Sequence, residues 1–351
     1  MEWSRLDRMG RGLYGIGKYV PSYGPEADTY GGRNPHCQKK LRSDRESIHL
    51  PLSFQLSPKM PAEVSVSLEF IKRLELYERE KPYWLFVGKP DHLDDSKLTN
   101  VELEVVPGIP AHDVRNDGHS YTLDEHGFQF VTHQQSFSDF DDEEAIRTHY
   151  LPQVEEVIRQ NVPYAKRVLL FDWRLRRQMS EEEGNALLSA NQIQQRSQIL
   201  APSQTVHTDV TEFSLLKRVK VELPEEADEL VKGRVQMVNF WRPIRHPAHN
   251  WPLFVCDGRS VGTGSLVAVD QITRSFVGDI YYAHHDPAFQ WYYMSSMGLD
   301  EGVLFKSWDT GTTAPSKVCL HSSSALPEHA IPDSQHPRFS IEARAVVFSD
   351  L

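Results

Sequence analysis

The chain has 351 residues, of which 39% are hydrophobic and 25% are charged, so it can bury a large core in one elaborated domain or in two. Its formal net charge of -11 argues against a nucleic-acid-binding protein and against attraction to an anionic membrane surface. The three cysteines are widely spaced and form neither a zinc motif nor a disulfide framework.

The first segment, residues 1–60, is predicted to be an irregular N-terminal arm. It is rich in Gly, Tyr and Pro, and its glycines lack the preceding strand and following helix of a phosphate-binding loop. It has no apolar core of the kind that secretory signals contain. The apolar stretches of the chain fall short of the roughly 20 residues that span a bilayer. We therefore expect a cytoplasmic protein without membrane or nucleic-acid partners, and the acidic surface and the arm are compatible with a homodimer.

The next segment, residues 61–200, is predicted to contain elements that support the core. Alternating or short buried apolar runs predict strands at 64–70, 83–88 and 168–173. Early acidic residues followed by apolar residues at helical spacing predict helices at 141–160 and 180–198. Pro152 is expected to divide the first of these helices in two.

From residue 201 onward, short strand patterns recur between Gly, Pro and Asp. They are predicted at 205–223, 234–241, 252–256, 265–270, 276–283, 290–294, 302–307, 317–321 and 338–348. Such spacing favours a sandwich or barrel. We expect an α+β, mainly β protein with a double-stranded β-helix (a cupin-like jelly roll) in residues 201–351. Residues 61–351 would then form a single domain, with the N-terminal elements packed against one sheet.

A histidine and an aspartate lie two positions apart in V-H-T-D-V-T, at His207 and Asp209. On a strand, residues i and i+2 point to the same face, so this pair can direct an imidazole and a carboxylate at one metal ion. The alternative is two polar residues on a solvated strand face. Two further H-x-D pairs, His92/Asp94 and His284/Asp286, lie in predicted turns and are assigned to loops.

A metal site that leaves one face open for substrate needs a third, neutral ligand from another strand. His321, at the end of the apolar segment K-V-C-L-H, is the candidate. The later strand H-P-R-F-S-I-E-A-R places Arg338 and Ser340 on one face, where a guanidinium and a hydroxyl can hold the distal carboxylate of a 2-oxo dicarboxylic acid. The alternative for Arg338 is a salt bridge on an edge strand.

These residues lie within longer stretches that resemble the Fe(II)/2-oxoglutarate-dependent oxygenases. More closely, they resemble a fungal hydroxylase/desaturase family, aspergillic-acid hydroxylase-like and gibberellin desaturase-like, which is related to the cephamycin methoxylation subunit. The resemblance covers residues 124–348 in family order. Its main stretches are D-E-H-G-F-Q-F-V-T-H, V-L-L-F-D-W-R-L-R, V-H-T-D-V-T, Q-M-V-N-F-W-R-P-I and P-R-F-S-I-E-A-R.

The resemblance implies a single oxygenase domain in which His207, Asp209 and His321 ligate Fe(II). 2-Oxoglutarate would take two further iron positions. Arg338, assisted by Ser340, would hold its distal carboxylate.

Two assignments have competing residues. Arg344 lies on the same strand face as Arg338 and is the alternative anchor for 2-oxoglutarate. The segment C-L-H-S-S-S-A-L-P-E-H departs from the usual family sequence, so His329 and His336 compete with His321 as the third iron ligand.

Three further residues are candidates for substrate contact. Trp241 and Arg242 follow the ligand strand in N-F-W-R-P-I, and His133 lies in F-V-T-H-Q-Q-S-F. The alternatives are a core tryptophan, an ion pair between Arg242 and Asp257, and a hydrogen-bonded structural histidine.

The resulting functional hypothesis is an oxygenase that uses O2 to oxidise a small natural product by hydroxylation, desaturation or rearrangement. One alternative is a catalytically silent partner subunit with the same fold. Another is a cupin-type isomerase or dioxygenase that needs no 2-oxo acid and would leave Arg338 without a role.

Overall fold

The computed structural model describes residues 62–86, 98–180, 182–183, 199–273, 276–332 and 336–350. These residues belong to one compact unit, Met60–Leu351. The predicted arm at 1–60, the His92/Asp94 pair and most of the predicted helix at 180–198 lie outside the described residues.

Fourteen strands are formed by the described part of the chain. They are β1 Glu63–Ile71, β2 Tyr83–Phe86, β3 Leu103–Asp113, β4 Phe128–Thr132, β5 Ala165–Arg177, β6 His207–Thr208, β7 Arg234–Pro243, β8 Leu253–Cys256, β9 Leu266–Thr273, β10 Val277–Ala283, β11 Trp291–Tyr293, β12 Glu301–Asp309, β13 His321–Ser323 and β14 Phe339–Ser349.

The helical segments are short. The α-helices are α1 Leu123–His126, α2 Glu143–Ala145, α3 Leu151–Asn161, α4 Glu212–Glu222 and α5 Ala227–Leu230, with a π-helical turn at Ile146–Tyr150 and 3₁₀ turns at Glu75–Glu78, Gly258–Ser260, Thr263–Ser265 and Glu328–Ala330. Pro152 is the second residue of α3 and directly follows the π-helical turn, and the helical segments run without a gap from Glu143 to Asn161. None of the helices in the described residues is long and apolar enough to cross a bilayer.

Two sheets form the body of the protein. The larger has the strand order β1-β3-β11-β8-β13-β6-β10-β9-β2, and the smaller has the order β4-β12-β7-β14-β5. All pairings are antiparallel except β3 with β11 and β2 with β9. The predicted mainly β jelly roll is confirmed. The strands before residue 201 do more than support one sheet, because β1 to β3 extend the larger sheet and β4 and β5 form the edges of the smaller one.

The extended structure predicted for 205–223 is wrong over most of its length. Only His207–Thr208 is a strand, and α4 begins at Glu212. The side chain of Thr211 caps this helix by accepting a hydrogen bond from the N–H of Ser214. The buried residues Leu215 and Val219 are four positions apart, which is helical spacing, and this periodicity outweighs the β-branched residues of the segment.

The segment before His321 was also predicted to be a strand, at 317–321. The chain there is irregular, and β13 begins only at His321. Its polar groups are paired outside a regular ladder. The N–H of Cys319, for example, donates to the carbonyl of Lys306 at 2.8 Å.

Strand β14 separates the hydrophobic core from the space between the sheets. Ile341, Ala343 and Val347 pack with Val157 and Ile158 of α3 in one buried cluster. The alternate residues of β14 up to the irregularity after Arg344 point to the opposite face, because side chains alternate along a strand. This face is polar, and it forms one wall of a cavity between the two sheets.

A close approach at Gly258 fixes the segment that leads into β13. A Cβ atom at this position would overlap with the Oγ of Ser316 and the carbonyl oxygen of Val318. We expect Gly258→Ala to lower the free energy of unfolding by about 1–3 kcal/mol, measured by chemical denaturation. Gly262→Ala is the matched control, since no heavy atom lies within 4 Å of its added Cβ. Equal stability of the two variants would show that this approach is not a constraint.

Candidate functional site

His207 and His321 are brought together by direct strand pairing. They are register partners across β6 and β13, and their ring centroids are 4.4 Å apart. Asp209 lies just beyond β6. Its Oδ1 is 3.9 Å from His207 Nε2 and its Oδ2 is 3.6 Å from His321 Nε2. One ligand atom from each residue lies within 4.8 Å of the others, which is the one such group of three among the described residues.

Backbone carbonyls orient the two imidazoles. His207 Nδ1 is 2.7 Å from the carbonyl oxygen of Thr205, and His321 Nδ1 is 3.3 Å from that of Cys319. A carbonyl only accepts hydrogen bonds, so each Nδ1 carries the hydrogen and each Nε2 presents its lone pair. Burial, together with the neighbouring His321, lowers the pKa of His207 to about 3, so this imidazole is neutral. Both rings are therefore arranged as metal ligands are.

The carboxylate of Asp209 is held as an anion. Arg344 Nη2 lies 2.7 Å from its Oδ1, and Asn239 Nδ2 donates to its Oδ2 at 2.5 Å. The Oγ of Ser307 is 3.3 Å from the same Oδ2. Burial raises the pKa of Asp209, but the charge of Arg344 and the hydrogen bond from Asn239 act in the opposite direction, and the pKa lies below its usual range.

The donor set fits a divalent transition metal. Two neutral imidazole nitrogens and one carboxylate form the facial triad of non-haem iron sites. The buried Nε2 of His321 also has no hydrogen-bond partner within the described ranges. Since an unpaired buried acceptor costs free energy, a cation at this position would satisfy it.

Arg338 lies in the same cavity, one residue before β14, and is 2% exposed. Its guanidinium donates to Ser340 Oγ at 3.1 Å, to Ser323 Oγ at 2.6 Å and to the carbonyl of Trp251 at 2.8 Å. All three partners are neutral, and no described carboxylate lies within ion-pair distance of this guanidinium. Burial, together with the charge of Arg176, lowers the pKa of Arg338 to about 9. Glu342 opposes this shift from the same cavity but forms no ion pair with Arg338, so the buried guanidinium remains available to an anion.

Arg344 is placed differently. Besides Asp209, it contacts Glu342 Oε1 at 2.9 Å and Asp172 Oδ2 at 3.3 Å. Its charge is thus already shared among three carboxylates, whereas Arg338 has no carboxylate of the described residues at ion-pair distance.

The cavity lies between the two sheets. Its walls include His207 and His321 from the larger sheet, and Arg176, Trp241, Arg338 and Glu342 from the smaller sheet or next to it. The indole of Trp241 stacks beneath Arg338, with the guanidinium carbon 5.0 Å from the ring centroid. The cavity therefore combines a metal-ligating end with a cationic end.

Sequence reasoning missed four polar residues near the site, which are Arg176, Asn239, Ser323 and Glu342. For two of them, the spacing along a strand could have indicated which face they share. Glu342 is separated from Arg338 and Arg344 by even numbers of residues, and Arg176 alternates with Arg174 on its strand. Neither signal reveals which strand lies opposite. For Asn239 and Ser323, no sequence feature beyond their position in a motif pointed to the site.

The other predicted substrate residues lie elsewhere. Arg242 is buried against His133, with its Nη2 donating to the carbonyl of His133 at 2.9 Å and to the carbonyl of Leu299. Neither residue lines the cavity, while Trp241 does. The alternative ion pair between Arg242 and Asp257 is not formed, because Asp257 pairs with Arg259 at 2.6 Å.

The competing histidines are also placed away from the cavity. His329 is exposed on a 3₁₀ turn, and His336 stacks on His246 with ring centroids 3.9 Å apart. In the loop pair His284/Asp286, His284 Nδ1 contacts the carbonyl of Ile71 at 2.9 Å, and Asp286 accepts from Ser265 Oγ at 3.1 Å. Both contacts are structural.

Comparison with known proteins places the chain among fungal enzymes. Residues 68–348 match a family described as Oxidoreductase/YMDC permease-like domain. Hydroxylase/desaturase CTB9 of Cercospora beticola is 33% identical over 257 residues, which are 68% of this chain and 76% of that protein. Aspirochlorine biosynthesis protein N of Aspergillus oryzae is 36% identical over 134 residues, which are 38% of this chain and 56% of that protein.

A further relative connects sequence and fold. Fe(II)/2-oxoglutarate-dependent dioxygenase nvfI of Aspergillus novofumigatus is 28% identical over 247 residues, covering 68% of this chain and 82% of that protein. The solved structure of the iron and alpha-ketoglutarate-dependent endoperoxidase NvfI superposes with a TM-score of 0.69 at 24% identity, covering 83% of this chain and 99% of that chain. The chain belongs to the fungal Fe(II)/2-oxoglutarate-dependent hydroxylase/desaturase family.

Proposed function

We propose that this protein is an Fe(II)/2-oxoglutarate-dependent oxygenase that oxidises a small natural product in fungal secondary-metabolite biosynthesis, with His207, Asp209 and His321 as its iron ligands. The observation that carries this proposal is the convergence of two lone-pair-bearing imidazole nitrogens and a carboxylate within 4.8 Å. A silent partner subunit has no need for such a set, and family membership supports an active enzyme.

Ferrous iron together with 2-oxoglutarate and O2 would supply the oxidising power for attack on an unactivated C–H bond. The protein's own contribution is to hold the metal and to orient the side chains that would ligate it. His207 and His321 present Nε2 because their Nδ1 atoms are engaged by carbonyls, and Asp209 supplies the charge that a divalent ion requires. A facial arrangement of three protein ligands leaves positions for the co-substrate and O2.

Arg338 is the proposed anchor for the distal carboxylate of 2-oxoglutarate. The hydrogen-bond partners of its guanidinium among the described residues are neutral, and Ser340 Oγ lies 3.1 Å from its Nε as a second donor for a carboxylate. Arg176 adds a further positive charge to the same cavity. A pocket with this charge suits a dianion, whereas a co-substrate-independent cupin enzyme would leave Arg338 without a counter-ion.

The substrate would approach over Trp241, which forms part of the cavity wall. Arg242 and His133 remain predictions as substrate contacts, and their mutual hydrogen bonds support a structural role. The position of the C–H bond relative to the metal then decides between hydroxylation, desaturation and rearrangement.

The ligand assignment predicts an absorption signature. Anaerobic addition of Fe(II) and 2-oxoglutarate should produce a metal-to-ligand charge-transfer band with the wild-type protein and not with His321→Ala. His329→Ala is the matched control, because this exposed histidine comes from the same segment and should leave the band intact. A wild-type protein without the band would refute the cofactor assignment. Succinate release by the wild-type protein that His207→Ala abolishes would contradict the silent-subunit hypothesis.

The anchor assignment predicts a selective loss of affinity. Arg338→Met should weaken 2-oxoglutarate binding to the metal-loaded protein on the order of 100-fold, because the distal carboxylate loses its buried charged partner. Pyruvate, which lacks that carboxylate, should bind equally well to both proteins. Arg245→Met removes a surface arginine that pairs with Asp141 and serves as the control for charge. Unchanged 2-oxoglutarate affinity in Arg338→Met would contradict the assignment.

A further inference from the structure

Asp209 is the ligand that the backbone fixes least. Both histidines lie on strands and are paired with each other, whereas Asp209 follows the end of a strand of only two residues. Among the described residues, its backbone N–H donates only to the Oγ of Ser307, at 3.4 Å. The direction of its carboxylate therefore depends on side-chain contacts.

Those contacts come from the smaller sheet. Arg344 on β14 and Asn239 on β7 are register partners, and each donates to a different oxygen of Asp209, at 2.7 Å and 2.5 Å respectively. Ser307 Oγ, on β12 of the same sheet, also donates to Oδ2 at 3.3 Å. Donors on both oxygens fix the rotation of the carboxylate about its own axis. A carboxylate oxygen has two lone-pair sites, so Oδ1, whose one donor among the described residues is Arg344, keeps a site for a metal.

Arg344 is itself immobilised. Its Nε donates to Glu342 Oε1 at 2.9 Å, and its Nη1 contacts Oδ2 of Asp172, its register partner on β5, at 3.3 Å. Asn239 also reaches Glu342, at 3.3 Å. The result is a rigid connection from β5 through β14 and β7 to the carboxylate of Asp209.

We infer that Arg344, together with Asn239, is a positioning residue that fixes the carboxylate of Asp209 for the metal, and that Arg344 does not anchor 2-oxoglutarate. This inference rests on the proposed function, since it takes Asp209 to be an iron ligand. It assigns different roles to two arginines on one strand face. Arg338 would bind the distal carboxylate of 2-oxoglutarate, and Arg344 would orient the metal ligand Asp209.

A positioning role and a purely electrostatic role predict opposite changes. A guanidinium near a divalent cation repels it, so removing the charge alone would tighten metal binding. Loss of an orienting partner weakens metal binding instead, by 10- to 100-fold for outer partners of metal ligands. The sign of the change in metal affinity is thus a readout that does not depend on turnover.

The experiment is an anaerobic titration of the full chain with Co(II), followed by visible absorption, in wild type, Arg344→Met, Arg344→Lys and Asn239→Leu. We expect Co(II) affinity to fall about 10- to 100-fold in Arg344→Met and in the near-isosteric Asn239→Leu. Arg344→Lys should lie between, since a lysine keeps the charge but loses the planar fork. Arg174→Met is the matched control, because Arg174 also contacts Asp172, at 3.3 Å. This variant should bind Co(II) as the wild-type protein does.

A second titration, with 2-oxoglutarate at saturating Co(II), separates the two arginines. Affinity for 2-oxoglutarate should be retained in Arg344→Met. Tighter Co(II) binding by Arg344→Met, or normal Co(II) binding with lost 2-oxoglutarate affinity, would overturn the inference. Thermal melting checks that each variant folds. If Arg344→Met does not fold, the Co(II) affinity of Asn239→Leu tests the inference. A wild-type chain that binds no Co(II) would instead refute the proposed function itself.

Discussion

The pairing of His207 opposite His321 is the constraint on which the site depends. Because β6 is two residues long, this one register pair sets the separation of the imidazoles, and the neighbouring strands β8 and β10 hold it from either side. A slip of one residue would turn an imidazole to the opposite face of the sheet. The candidate metal centre is therefore a product of strand order rather than of local sequence, and the smaller sheet supplies the cationic end of the cavity.

The sequence predicted the type of site better than the structure around it. H-x-D followed by a distant histidine predicts a candidate ligand set, and the structure brings these three residues together. The prediction rests on the residue types, which carry the chemistry whatever the backbone around them. The strand assumed for 205–223 was wrong, since Thr211 begins a helix shortly after Asp209 and the β-branched residues of that helix resemble a strand. The resemblance to a family supplied the order of the motifs, which composition and periodicity do not contain.

The limits of sequence reasoning are clearest on β14. A period of two correctly places Arg338, Ser340 and Arg344 on a common face, but it does not say what each guanidinium meets. The difference arises from Asp172 on β5 and Asn239 on β7, which become neighbours of Arg344 only when three strands pair. Arg176 was missed for the same reason, since it reaches the cavity from a strand that precedes the motifs.

The isolation of Arg338 also affects the thermodynamics of the whole chain. Keeping a guanidinium in the interior without a counter-ion reduces the free energy of unfolding, and an anion that binds only the folded state restores it. At a ligand concentration 100 times its dissociation constant, this restoration amounts to about 2.7 kcal/mol. If the anion is 2-oxoglutarate, the folded fraction of the enzyme follows the supply of a central metabolite. In a cell depleted of that metabolite, a larger fraction of the protein would be unfolded and open to degradation, in addition to the loss of catalytic activity.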